Sequence, residues 1–145
     1  MKKYLILALF IGLGINATSC SKEPTTNVQN IIKEFVKTHF PNETVLAIIR
    51  DGYDYDVTLS DYTQIDFDGS MFSKPTWDEV DCRRSTAHTA VPATLVPTEI
   101  ADYVNRVYPS QSIVKIAKDR REWDIELGNG IEIEFNSKFV VIEMD

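Results

Sequence analysis

Carboxylates dominate the chemistry open to this chain. Asp54, Asp56, Asp66, Asp68, Glu122, Asp124, Glu126, Glu132 and Glu134 recur at alternate positions in short runs. A period of two places them on one side of a strand. Tyr55, Val57, Leu59, Ile65, Phe67, Trp123, Ile125, Leu127, Ile133 and Phe135 then fall on the other side. In the closing runs Trp77–Asp81 and Val141–Asp145, pointing Val80 and Met144 inward turns Trp77, Phe139 and Val141 toward the acids, with Glu79 and Glu143. The expectation is an open acidic sheet face with apolar contacts at Trp77, Phe139 and Val141. Charge would steer encounter and the aromatic rings would supply contact area, which suits a protein or peptide partner of basic character. The plain alternative is a solvated sheet face with a few stray aromatics.

Other chemistries find less support. Asp51-Gly52-Tyr53-Asp54 and Asp66-Phe67-Asp68-Gly69-Ser70 are oxygen-rich turns. Calcium takes about six to eight oxygens, and no twelve-residue ligand loop is present. Turn chemistry explains these residues as well. Calcium or small-ligand binding is therefore the alternative function, and no metal ligand is assigned. Cys82 beside Arg83 and Arg84 has the charges that activate a thiol, but a small apolar filler is the better reading. His39 falls near an apolar helical stripe and is expected to be packed or half-buried. Cys82 and His88 lack an orienting third group and an oxyanion site. HExxH, GxSxG and phosphate-cradling glycine loops are absent from the sequence. On an open face nothing is expected to raise a carboxyl pKa for acid catalysis. A non-catalytic protein without a cofactor is the expectation.

The elements that position these residues occur twice. Residues 31–68 align without a gap on 99–136, with nine identities that include Ile32/Ile100, Pro41/Pro109, Asp56/Asp124, Leu59/Leu127 and Phe67/Phe135. An internal repeat constrains architecture before any single residue does. Each copy opens with a helix. In the first, Val28, Ile31, Ile32, Phe35, Val36 and Phe40 form one stripe, Thr26 and Gln29 suit a capping box, and Pro41 stops the helix. Ile100, Tyr103, Val104, Val107 and Tyr108 repeat it up to Pro109, with Pro97 at or before the first turn. The period then changes to two. Val45–Arg50 and Ile113–Lys118 lead each set of strands, Asp51-Gly52 and Asn129-Gly130 are hairpin turns, and Asp61-Tyr62 turns where the second copy has Asn129-Gly130. A fourth strand closes each copy. Each copy is thus α-β-β-β-β, its strands antiparallel neighbours and its helix a lid.

The N-terminus reads as an export signal. Lys2 and Lys3 precede an apolar run, Tyr4–Ile15, of 12 residues, too short to span a bilayer. Ala17-Thr18-Ser19-Cys20 resembles a bacterial lipobox, with Ala17 where Leu, Val or Ile is usual. The expected organisation is a signal peptide over 1–19, a lipidated Cys20 and tether over 20–26, a first module over 27–81, a linker over 82–94 and a second module over 95–145. Removing Lys2 and Lys3 takes the net charge from −7 to −9 (−7 − 2). Such a domain is repelled by nucleic acid and anionic lipid, so membrane contact is expected through the lipid alone. The cell envelope is the expected location, at the outer membrane, with the domain in the periplasm or at the surface.

The repeated helix ending in "FP" or "YP", the hairpins "YDVTLSD…IDFD" and "WDIELGNGIEIEF", and the closing "WDEVD" resemble the PepSY-like domain family, also labelled β-lactamase-inhibitor-like. The resemblance covers nearly all of the chain after the signal. It implies an α+β fold: two tandem modules sharing one antiparallel sheet of about eight strands, both helices on one face, as in the β-lactamase inhibitor protein. It also raises inhibition of an envelope hydrolase or peptidase as an expectation, and it carries over no binding residue. The chain departs from the usual pattern at Asp61-Tyr62 and in the longer turn from Gly69 to Thr76. The signal predicts that radiolabelled palmitate is incorporated into the full chain and that Cys20→Ser abolishes labelling. Equal labelling of the variant would remove the anchor.

Overall fold

Two amphipathic helices form where the three-and-four spacing of apolar residues predicts them. The computed structural model describes residues 26–145. The signal peptide, Cys20, the tether and the Thr26 side chain lie outside the described residues. Helix α1 (Thr26–His39) buries Ile32 and Val36, with Phe40 just beyond its end. Helix α2 (Thr98–Val107) starts after Pro97, whose carbonyl accepts the Ala101 N–H at 3.0 Å. It buries Ile100 and Val104, the repeat partners of Ile32 and Val36.

The strands are β1 (Val45–Asp51), β2 (Asp54–Leu59), β3 (Gln64–Asp68), β4 (Thr76–Asp81), β5 (Ile113–Lys118), β6 (Glu122–Leu127), β7 (Glu132–Asn136) and β8 (Val141–Met144). They lie in sequence order in one eight-stranded sheet, and every neighbouring pair is antiparallel. The modules join where β4 meets β5, with Val80 opposite Ile116, both fully buried. Both helices lie on the same side. Phe35 of α1 meets Phe67 of β3 edge to face, with centroids 5.2 Å apart. The equivalent pair Tyr103 and Phe135 repeats that contact at 5.4 Å. Such T-shaped pairs add about 1 kcal/mol beyond the area they bury.

The β2–β3 and β6–β7 turns share one geometry despite their different residues. Gly130 has φ +87° and donates to Leu127 O at 2.8 Å; Tyr62 has φ +70° and donates to Leu59 O at 3.0 Å. A left-handed tyrosine costs about 1 kcal/mol. Buried Asp61 offsets it by accepting bonds from the Thr63 N–H, at 3.1 Å, and the Thr63 hydroxyl, at 2.8 Å. The segment between modules is strapped down rather than slack. Cys82 donates to Val114 O, Thr86 to Asp61 O and Val91 to Ile113 O, each at 2.8 Å. Cys82, Val91 and Leu95 join the core, and Ala93–Leu95 forms one 3₁₀ turn.

Four irregularities in register recur as two repeat-related pairs. β1 has one extra residue between Val45 and Ala47, and β5 one between Ile113 and Lys115. β4 pairs Val80 with Ile65 but Trp77 with Phe67, so three steps on β4 match two on β3. β8 does the same, pairing Met144 with Ile133 and Val141 with Phe135. A bulge reverses the parity of the residues beyond it. This corrects the expected placement of Trp77, Phe139 and Val141. All three pack against the core, not the open acidic face, Phe139 doing so from the β7–β8 turn at φ +58°. Trp77 approaches Phe35 at 6.4 Å and Trp123 at 6.3 Å, and Trp123 approaches Phe139 at 6.1 Å. This aromatic chain crosses from module one to module two, and the Lys118 ammonium lies 3.9 Å from the Trp77 ring centroid.

Trp77 is therefore a packing residue. Trp77→Ala is expected to destabilise the fold by about 2–3 kcal/mol, below the full-burial figure because the ring is only partly buried. Chemical denaturation measures it; a change under about 0.5 kcal/mol would return the ring to the surface.

Candidate functional site

The sheet face away from the helices carries the acids in registered rows. Cross-strand pairing aligns Asp56 with Asp66, Asp66 with Glu79, Glu79 with Ala117, Ala117 with Asp124, Asp124 with Glu134 and Glu134 with Glu143. Six carboxylates thus run across the two modules in one line, interrupted only by Ala117. Directly opposed like charges are destabilising. A second row runs from Asp81 through Lys115 and Glu126 to Glu132. It is partly neutralised. Arg83 bridges Asp81 at 2.6 Å and Glu126 at 2.8 Å, while Lys115 reaches across to Glu79 of the first row at 3.0 Å.

The acids predicted from alternation occupy this face. Asp54 and Asp68 sit at its end by the β1–β2 turn, where Asp54 Oδ1 accepts the Gly69 N–H at 3.1 Å. A Cβ on Gly69 would lie 1.8 Å from the Tyr53 carbonyl oxygen, so glycine alone permits the two oxygen-rich turns to meet. Glu122, Asp124, Glu126, Glu132 and Glu134 line the second module's half. Alternation missed Asp78, which the β4 bulge places beside Glu79. Its nearest charges are Asp68, Glu79 and Asp54, and its Oδ1 is buried without a hydrogen-bond partner.

The expectation that nothing here raises a carboxyl pKa does not hold. Burial, then Glu79 and Asp56, push Asp66 up to about 7. Burial, then Asp68, Glu79 and Asp54, push Asp78 to about 6. Asp56, Asp124 and Glu134 are also raised, each by desolvation first and acidic neighbours second. Asp81 moves the other way: burial raises it, but hydrogen bonds and charge from Arg83 hold it below the usual carboxylate range. The shifts arise because strand pairing sets side chains opposite one another, which strand-by-strand periodicity cannot show.

Cys82 is buried, and burial pushes its thiol up to about 11, so it is a core residue and not a reactive thiolate. His39 is half-buried against Phe35, at 4.5 Å, and its Nδ1 lies 2.8 Å from the Thr94 hydroxyl. His88 does not meet Cys82 as a base would. Its Nε2 faces Glu43 at 3.6 Å and Asp61 at 3.7 Å. Burial raises the Asp61 carboxyl, yet hydrogen bonds from Ser85 and Thr63 and the nearby His88 hold it below the usual range.

Two overlapping stretches, residues 17–73 and 55–143, match the family profile described as "Putative beta-lactamase-inhibitor-like, PepSY-like". The chain belongs to this PepSY-like family. That description is inhibitor-like and not catalytic, and the family's domain is found here twice. A "putative calcium-regulated periplasmic protein" from Bacteroides thetaiotaomicron is similar in structure, with TM-score 0.69 and 30% identity over 80% of this chain and 88% of that one. A "putative periplasmic protein" of the DUF2874 family from Bacteroides vulgatus gives TM-score 0.67 and 35% identity over 83% and 88%. A second periplasmic protein of unknown function from that organism gives 0.65 and 29% over 77% and 86%. No curated protein matches the chain.

The raised carboxyls set a pH dependence. The folded chain keeps protons on Asp66 and Asp78 to pH about 7 and about 6, whereas the usual Asp value is 3.8. Between those limits the folded state binds more protons than the unfolded one, so these groups lower stability as pH rises from about 4 to 7. Asp66→Asn is expected to raise stability at pH 8 by about 1 kcal/mol, the full shift being reduced by solvent screening. It should change nothing at pH 3.5. Denaturation curves at both values check this; an equal effect at both would exclude the charge row as the cause.

Proposed function

We propose that the protein is a non-catalytic envelope lipoprotein, held to the membrane through Cys20 and working in the periplasm as a binding module. Its partner is a basic protein or peptide, received on the open carboxylate face. The observation that carries this reading is the line Asp56–Asp66–Glu79–Asp124–Glu134–Glu143. Apposed carboxylates that cost stability in the free protein would be relieved by a cationic partner. With Trp77, Phe139 and Val141 turned inward, docking rests on charge. Ile49, opposite Asp56 and 60% exposed, adds apolar area at the β1 edge. The periplasmic descriptions of all three structural neighbours and the apolar N-terminal run support the location.

Calcium is the second reading, favoured by two observations. One neighbour is described as calcium-regulated, and Asp78 presents an orphaned buried oxygen among Asp54, Asp68 and Glu79. The fit is incomplete. Among the described residues no three carboxylates of this face bring ligand oxygens within 4.8 Å of one another, so the shell of about six to eight oxygens is not assembled in advance.

One experiment separates these readings. The full chain captures partners from an envelope extract, alongside an Asp124→Lys, Glu134→Lys variant. The first reading predicts a partner that the variant loses and that elutes as salt rises. Retention of the partner by the variant would overturn that docking face. Calorimetry with calcium completes the test: one tight stoichiometric site, lost in Asp78→Asn, selects the second reading.

A further inference from the structure

Away from the carboxylate face, three side chains from separate turns converge. Glu43 lies between α1 and β1, Asp61 in the β2–β3 turn and His88 in the segment joining the modules. Their ligand atoms all fall within 4.8 Å of one another. The Glu43 and Asp61 side chains are only 9% and 2% exposed. His88 Nε2 is buried and makes no hydrogen bond. It faces Glu43 Oε1 at 3.6 Å and Asp61 Oδ2 at 3.7 Å, both too long for a hydrogen bond. An orphaned imidazole nitrogen aimed between two buried carboxylates is an unusual thing for a fold to keep.

We infer that Glu43, Asp61 and His88 form a binding site for a divalent metal ion of the zinc type. One imidazole nitrogen and two carboxylate oxygens are a donor set such ions accept. Ligand bonds of about 2.0–2.1 Å arranged tetrahedrally set donors about 3.4 Å apart, close to the gaps present here. The outer contacts also fit. Ser60 donates to Glu43 Oε2, Ser85 and Thr63 donate to Asp61 Oδ2, and the His88 backbone N–H donates to Ser85 Oγ at 2.8 Å. Hydroxyls that orient ligating carboxylates are the usual supports of a metal site. The Phe40 ring stands edge-on to the imidazole at 5.3 Å and closes the apolar side. The bound ion would pin the inter-module segment to the first module, and so act structurally.

The test uses the full chain, stripped with a chelator and titrated with Zn²⁺ by calorimetry and by thermal unfolding. The chain has two histidines, which supplies an internal control. One-to-one binding that raises the melting temperature is expected. His88→Gln should weaken it at least about tenfold, and His39→Gln should leave it unchanged. If His88→Gln fails to fold in chelator, Glu43→Gln takes its place with the same expected loss. Absence of binding by the natural chain overturns the site, as does equal affinity in the ligand variants. A stability that responds to His88 protonation but not to Zn²⁺ would leave the cluster an ion pair and would also overturn it.

Discussion

The pairing of β4 with β5 is the constraint on which the molecule rests. Each module on its own is a four-stranded meander with one helix, and its last or first strand would present an open edge. Joining them places Val80 against Ile116 at the centre of one sheet and makes the interior continuous beneath both helices. Trp77 and Trp123 extend the joint on the same side, bridging strands from both halves. The opposite side inherits the consequence. The carboxylate lines of the two modules fall into register across Glu79 and Ala117 and become one surface.

That surface carries the functional reading, and its energetics are unusual. A face held together for stability alone would alternate charges across strands. Here Lys115 stands between Asp81 and Glu126 in the second row and Arg83 bridges those two acids, whereas the first row carries no basic residue and receives only the Lys115 contact to Glu79. The contrast between Asp81, held below its usual pKa by Arg83, and Asp66, pushed to about 7 by its acidic neighbours, lies within one sheet. The less neutralised row is the part of the molecule that gains most from a cation, and both proposed partners supply one.

Much of the fold was legible in the sequence. Helices, hairpins and the repeat announce themselves through periods of 3.6 and 2 and through Pro41, Pro109 and Asn129-Gly130. The acids assigned by alternation within β2, β3, β6 and β7 lie where that alternation puts them. Trp77 and Val141 did not, because a bulge adds one residue without a compositional mark. The signal was present in the spacing: Trp77-Asp78-Glu79-Val80 and Val141-Ile142-Glu143-Met144 set their helix-side residues three apart, in both copies. The Glu43–Asp61–His88 cluster left no local trace, since its members sit in three turns that only the folded chain brings together. Pairing of like charges was hidden for the same cause, as it is a property of register between strands.

Native-state hydrogen exchange on the amides of β4 and β5 reads the joint between the modules itself. If the two modules form one cooperative sheet, the hydrogen-bonded amides at this joint should exchange only through global unfolding, with the same free energy as those in the middle of β2 and β6. Exchange at β4 and β5 through a much cheaper opening, with each half keeping its own protection, would contradict the account.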